Sequence, residues 1–162
     1  YRDDGLLVEI FLDELKMAHT LDFRGRLELD SPTISLVDLL LSKLQIVEIN
    51  EKDIQDLIVL LAEHDLGPGD RELIDIDYLL KLTRSDWGLF YTASASFGKV
   101  REFANHYDVI DDSIRQTVHT RTDTILDRME KEPKSLKWKA RARVGTRVQW
   151  YEDVGDVQRG HD

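Results

Sequence analysis

Apolar and polar positions follow two regimes along the chain. From Leu6 to Leu12, Val8, Ile10 and Leu12 alternate with Leu7, Glu9 and Phe11, the pattern of a strand apolar on both faces and interrupted only by Glu9. Runs at Glu14 to Leu21 and Arg26 to Leu29, separated by Asp13 and by Arg24-Gly25, predict two more short strands. After Ser31-Pro32 the period lengthens. Leu36, Leu39, Leu40, Leu44 and Val47 recur at helical spacing behind Ser35, an N-cap residue. Asn50 caps a second helix, with Glu51 and Asp53 in its first turn, where the helix dipole favours anions, and Ile54, Leu57, Ile58 and Leu61 as its apolar stripe. Gly67-Pro68-Gly69 is expected to end it.

Beyond that loop, helices are predicted from Asp75 or Asp77 through Leu82, from Ser85 or Asp86 to about Tyr107, from Asp111 or Asp112 to Glu132, and from Ser135 to near Gly145. The stretch Thr146 to Glu152, with Val148, Trp150 and Tyr151, suits a final strand or an aromatic lid on the core. The fold class is therefore α+β: a small mixed or antiparallel sheet at the N-terminus, then a predominantly helical region. The expected division is a core of strands plus two helices over 1–66, with a helical region over 70–162 packed on it.

Composition narrows the function classes. The 162 residues hold 22 Lys+Arg against 32 Asp+Glu, a formal net charge of −10, and no cysteine. The absence of cysteine excludes disulfides, thiolate zinc sites and cysteine nucleophiles, and it fits a reducing cytoplasm. No apolar run approaches the roughly 20 residues that span a bilayer. The opening Tyr1-Arg2-Asp3-Asp4-Gly5 lacks an initiator Met and the order of a signal peptide, and it reads as a chain entered midway. Charge is uneven. Up to Pro133 there are 15 basic and 28 acidic residues (15 − 28 = −13), and from Lys134 onward 7 basic and 4 acidic (7 − 4 = +3). The acidic body repels phosphate backbones at long range, which disfavours duplex DNA. The late cluster Lys134, Lys137, Lys139, Arg141, Arg143 and Arg147 suits a solvated helix face or a local contact with an anion such as RNA.

Two constellations have the chemistry for a site. Glu9 sits within an apolar strand, where a carboxylate is costly unless it pairs, protonates or binds a cation; the alternative is an edge strand with Glu9 facing water. Lys43 lies beside the stripe of Leu39, Leu40, Leu44 and Val47, while Asp53 and Asp56, three apart, share one face of the next helix. An ammonium from the first helix fits between these carboxylates, either as a functional group or as an ion pair that fixes how two helices pack.

The run Val8 to Asp13, the run Ser35 to Leu44 and the basic-Asp-x-x-Asp-Leu motif Lys52 to Leu57 resemble the later part of nucleotidyltransferase-fold proteins. The likeness is to an uncharacterised bacterial nucleotidyltransferase-like family related to the abortive-infection toxin type. Trp87-Gly88-Leu89 and Leu136 to Gly145 also resemble that group. The family's Gly-Ser turn and paired-carboxylate strand, due before Val8, are not in this sequence. Asp75-Ile76-Asp77 has the letters of that pair but reads as a helix start. The resemblance implies nucleotidyl transfer from a nucleoside triphosphate with magnesium to an unknown acceptor, protein or RNA. It implies Glu9 as metal ligand or base, Lys43 as phosphate contact and catalytic residue, Asp53 as a catalytic residue that orients Lys43 or the nucleotide, and Asp56 beside the nucleotide. The alternative is a catalytically inactive helical interaction module that keeps the fold.

The remaining chemistry-bearing residues are scattered. His19, His64, His106, His119 and His161 show no i, i+4 pairing, so no histidine metal site is expected. His19 suits either the Glu9 pocket or a structural role. Gly67-Pro68-Gly69 lacks the Lys-Ser/Thr end of a phosphate loop. Trp87, Phe90, Tyr91 and Phe97 lie at helical spacing and suit core packing.

Overall fold

The computed structural model describes residue 10 and residues 12–69, 71–107 and 109–153. The architecture is α+β: two small two-stranded sheets and six helices. Strands β1 (Glu14–Lys16) and β2 (Thr20–Asp22) form an antiparallel hairpin in which Leu15 faces Leu21. Helices α1 (Leu36–Leu44) and α2 (Glu51–Glu63) follow, then β3 (Asp65–Gly67) and β4 (Leu73–Asp75), which pair in parallel. Helices α3 (Ile76–Thr83), α4 (Trp87–His106), α5 (Asp112–Lys131) and α6 (Leu136–Val144) complete the order, with a 3-10 turn at Gly145–Arg147.

Each helix begins where a side-chain oxygen can accept a hydrogen bond from an orphan amide of its first turn. Ser35, Asn50, Asp75, Asp86, Asp111 and Ser135 accept from the amides of Asp38, Asp53, Tyr78, Leu89, Ile114 and Trp138 respectively. The apolar stripes behind these caps pack together. Helices α2, α4 and α5 contact one another, and α1 lies against α2, α4 and β4. The buried cluster draws on both sides of the 66/70 division, from Leu40 and Leu57 to Ile74, Phe97 and Ile125.

The structure departs from the sequence reading in several places, the first being that α1 ends at Leu44 and leaves Val47 outside the helix. Of the apolar strand Leu6 to Leu12, only Ile10 and Leu12 are described; both are exposed and lie outside any strand. The run Glu14 to Leu21 is a hairpin rather than one strand, because the chain reverses at 17–19, where the His19 amide donates to the buried Gln45 side chain at 3.0 Å. Arg26 to Leu29 is a succession of turns, closed by the Arg26 amide on the Phe23 carbonyl and the Leu29 amide on Arg26. Helix α2 stops at Glu63, short of the Gly-Pro-Gly loop, because the chain turns directly into β3. A parallel pair ordinarily needs a crossover of a dozen or more residues. Strands this short let the loop 68–72 suffice, with positive φ at Gly69 and Glu72.

Candidate functional site

Lys43 lies in the last turn of α1, and its position on the helix directs the side chain toward the start of α2. There Asn50 fixes the backbone of Asp53 by accepting its amide at 2.9 Å, and Asp56 follows one turn later on the same face. The Lys43 Nζ lies 2.6 Å from Asp53 Oδ1 and 2.9 Å from Asp56 Oδ2. The two carboxylates differ in setting: the Asp53 side chain is 13% exposed and that of Asp56 44%. Partial burial disfavours the charged amine, but hydrogen bonds and charge from Asp53 and Asp56 outweigh it and raise the Lys43 pKa. Lys43 is thus a fixed cation at neutral pH, unsuited to act as base or nucleophile.

Lys43 and Asp53 border a concavity of about 520 Å³ between the β1–β2 hairpin and α1. Leu15, Met17, Phe23, Leu27, Ile34 and Ile46 supply its apolar lining, and Ser42 a further polar group. That lining escaped the sequence reading, which placed Leu15 and Met17 on one strand and Leu27 on another and gave Phe23 and Ile34 no role. A concave apolar surface with a few convergent polar groups is the ordinary form of a small-molecule site.

Of the residues implied by the resemblance, Lys43, Asp53 and Asp56 come together. Glu9 lies outside the described residues. Magnesium prefers several oxygen ligands in octahedral order. Among the described residues no group of three or more Asp, Glu, His or Cys is placed to hold a metal ion, and Asp53 and Asp56 are engaged by Lys43. The described residues therefore do not by themselves fit a magnesium site.

His19 stands apart from this groove. It is 7% exposed, and its Nε2 lies 2.9 Å from Thr92 Oγ1; the same oxygen accepts from Trp150 Nε1 at 3.1 Å. Burial lowers its pKa against smaller opposing effects of Asp86 and Glu152. Burial and the Thr92 contact give His19 a structural role in this part of the core. Trp150 also packs edge-on against Trp87 and Tyr91, so the segment after α6 is an aromatic lid and not a strand. No helix among the described residues is long and apolar enough to cross a membrane.

Comparison with protein-family models, with curated proteins and with solved structures finds no match to this chain.

Proposed function

We propose that the protein is nucleotidyltransferase-like and binds a nucleoside triphosphate at the Lys43 end of the groove between the β1–β2 hairpin and α1. The observation carrying this reading is the unequal grip of Asp53 and Asp56 on one ammonium at the edge of an apolar concavity. Asp53 is the shorter and more buried contact and holds Lys43 in place. Asp56 is the longer and more exposed one, and it is the partner that a phosphate oxygen displaces. Lys43 then keeps one carboxylate and gains a charge-assisted bond to the triphosphate. The bases or sugar lie against Leu15, Phe23 and Ile34.

In the transfer itself an acceptor hydroxyl attacks the α-phosphorus, the bond to the bridging oxygen breaks, and pyrophosphate leaves with its charge near Lys43. By the resemblance, Glu9 takes the hydroxyl proton. The acceptor is a protein or RNA hydroxyl.

The test is a titration of the four nucleoside triphosphates, with and without magnesium, into the chain and two variants. Loss of a charged hydrogen bond is worth about 1.5–3 kcal/mol, so Lys43→Ala should weaken binding by roughly tenfold or more. Asp56→Asn, which removes the competing carboxylate, should strengthen it. Equal binding by all three proteins, or none by any, rejects the proposal and leaves Lys43 as an ion pair that sets helix packing.

A further inference from the structure

Among the described residues before Pro133 most cations find a carboxylate: Arg24, Arg26, Lys43, Arg101, Arg121 and Arg128 are all in ion pairs. Helix α6 is different. Its inner face is fixed to the body: Trp138 Nε1 donates to the Thr83 carbonyl at 3.1 Å, and the Arg141 guanidinium lies 4.7 Å from the centre of the Trp87 ring. Its outer face is exposed at Leu136, Lys137, Lys139, Ala140, Arg143 and Val144, and no residue of the helix is buried.

Helical geometry orders that outer face. Leu136, Ala140 and Val144, four apart, form one line along the helix, with Lys139 and Arg143 on one flank and Lys137 on the other. Leu136 is 85% exposed and Val144 41%. None of the three cations pairs with a carboxylate among the described residues, and no Asp or Glu occurs from Lys134 to Trp150. An aliphatic seam between rows of cations is one half of a helix–helix contact whose other half is acidic.

We propose that the outer face of α6 docks an acidic amphipathic helix of a partner protein, with aliphatic side chains on the seam and Asp or Glu on both flanks. Charge complementarity selects the anionic partner, and the exposed Leu136 and Val144 select a protein over a nucleic acid. Base stacking needs aromatic faces, and Trp138, the one aromatic residue of α6, is turned inward against Phe90 at 5.2 Å. A helix of 9 residues offers a contact of about 13 Å, which implies a weak, salt-sensitive, transient interface. The nucleotide proposal plays no part in this inference.

The probe is a fluorescein-labelled synthetic helix with Leu along one face and Glu on both flanks, followed by anisotropy against the full chain at low salt. Binding is expected, falling by roughly tenfold or more in Lys139→Glu/Arg143→Glu and also in Leu136→Ser/Val144→Ser. These positions are exposed, so melting temperatures should stay unchanged in both variants. Four results overturn the proposal: no binding of the probe, equal binding of an all-Glu peptide without Leu, equal or tighter binding of labelled oligouridylate, or self-association of the chain lost in the same variants. The last two would assign the face to single-stranded RNA or to a second copy.

Discussion

Buried charge at single residues is where the sequence commits most to one structure. Asp38 is almost fully buried, yet Arg26 Nε meets both its oxygens at 2.8 Å and the Ser35 hydroxyl donates to it at 2.7 Å. The Arg26 guanidinium also lies 3.5 Å from the centre of the Tyr78 ring. Removing one partner of such a pair strands a buried charge, so Arg26→Ala should cost about 3–5 kcal/mol in urea unfolding. The volume-matched Arg26→Met/Asp38→Leu double variant should recover most of that loss. His19 gives a pH dependence of definite sign. Its folded pKa is lowered by burial, so as pH falls the unfolded chain takes up the proton first. The His19 contribution to stability is complete above about pH 6.5 and declines below it, toward the lowered folded value. Melting temperatures of His19→Gln and the parent from about pH 7.5 to 5 should diverge in slope below that point, with the parent falling faster.

At the scale of elements, the helix starts need only local chemistry, whereas the ends of α2 and α4 draw on distant side chains. Arg121 of α5 donates to the Leu61 and Ala62 carbonyls and pairs with Asp65, supplying a cation that the last turn of α2 lacks. Arg115 serves α4 likewise through the Ala104 carbonyl at 2.8 Å. Arg121→Met should raise amide exchange at 61–65 while the N-terminal half of α2 keeps its protection. The aromatic lid depends on Gly88, where a Cβ would lie 2.6 Å from the Trp150 carbonyl oxygen and 3.1 Å from His19 Cε1. Gly88→Ala should therefore destabilise by about 1–3 kcal/mol and shift tryptophan emission to longer wavelength as Trp150 is displaced.

These elements also mark how far the residues themselves could be read. Ser35, Asn50 and Ser135 are legible as caps because the hydrogen bond reaches only to the following turn, and the structure selects Asp75, Asp86 and Asp111 from the offered pairs. The adjacency of Lys43 to Asp53 and Asp56 follows from helical spacing across a short loop. The β3–β4 pair was invisible, since three-residue strands carry no period. The contacts of Arg121 and Arg26 were not legible because their partners, Leu61 and Asp38, lie 60 and 12 residues away along the chain. The groove was hidden for the same reason: its lining joins Leu15 to Ile46 through a hairpin whose reversal no turn residue announces.

The whole molecule keeps its charge separated. A common apolar cluster from Leu15 to Met129 holds α1 to α5, the sequence up to Pro133 is acidic, and the unpaired cations of α6 stand at the opposite end of the sequence from the Lys43 groove. Lys43, Asp53 and Asp56 together carry one net negative charge, which selects against a bare anion and favours a ligand able to replace Asp56. The most direct measurement is the NMR signal of the Lys43 Nζ, assigned through Lys43→Arg, during titration with a nucleoside triphosphate in the presence of magnesium. We expect that resonance to shift and to report exchange of Asp56 for phosphate, with no response to the parent nucleoside. A Lys43 signal unmoved at saturating triphosphate, with both carboxylate contacts intact, would contradict the nucleotide site.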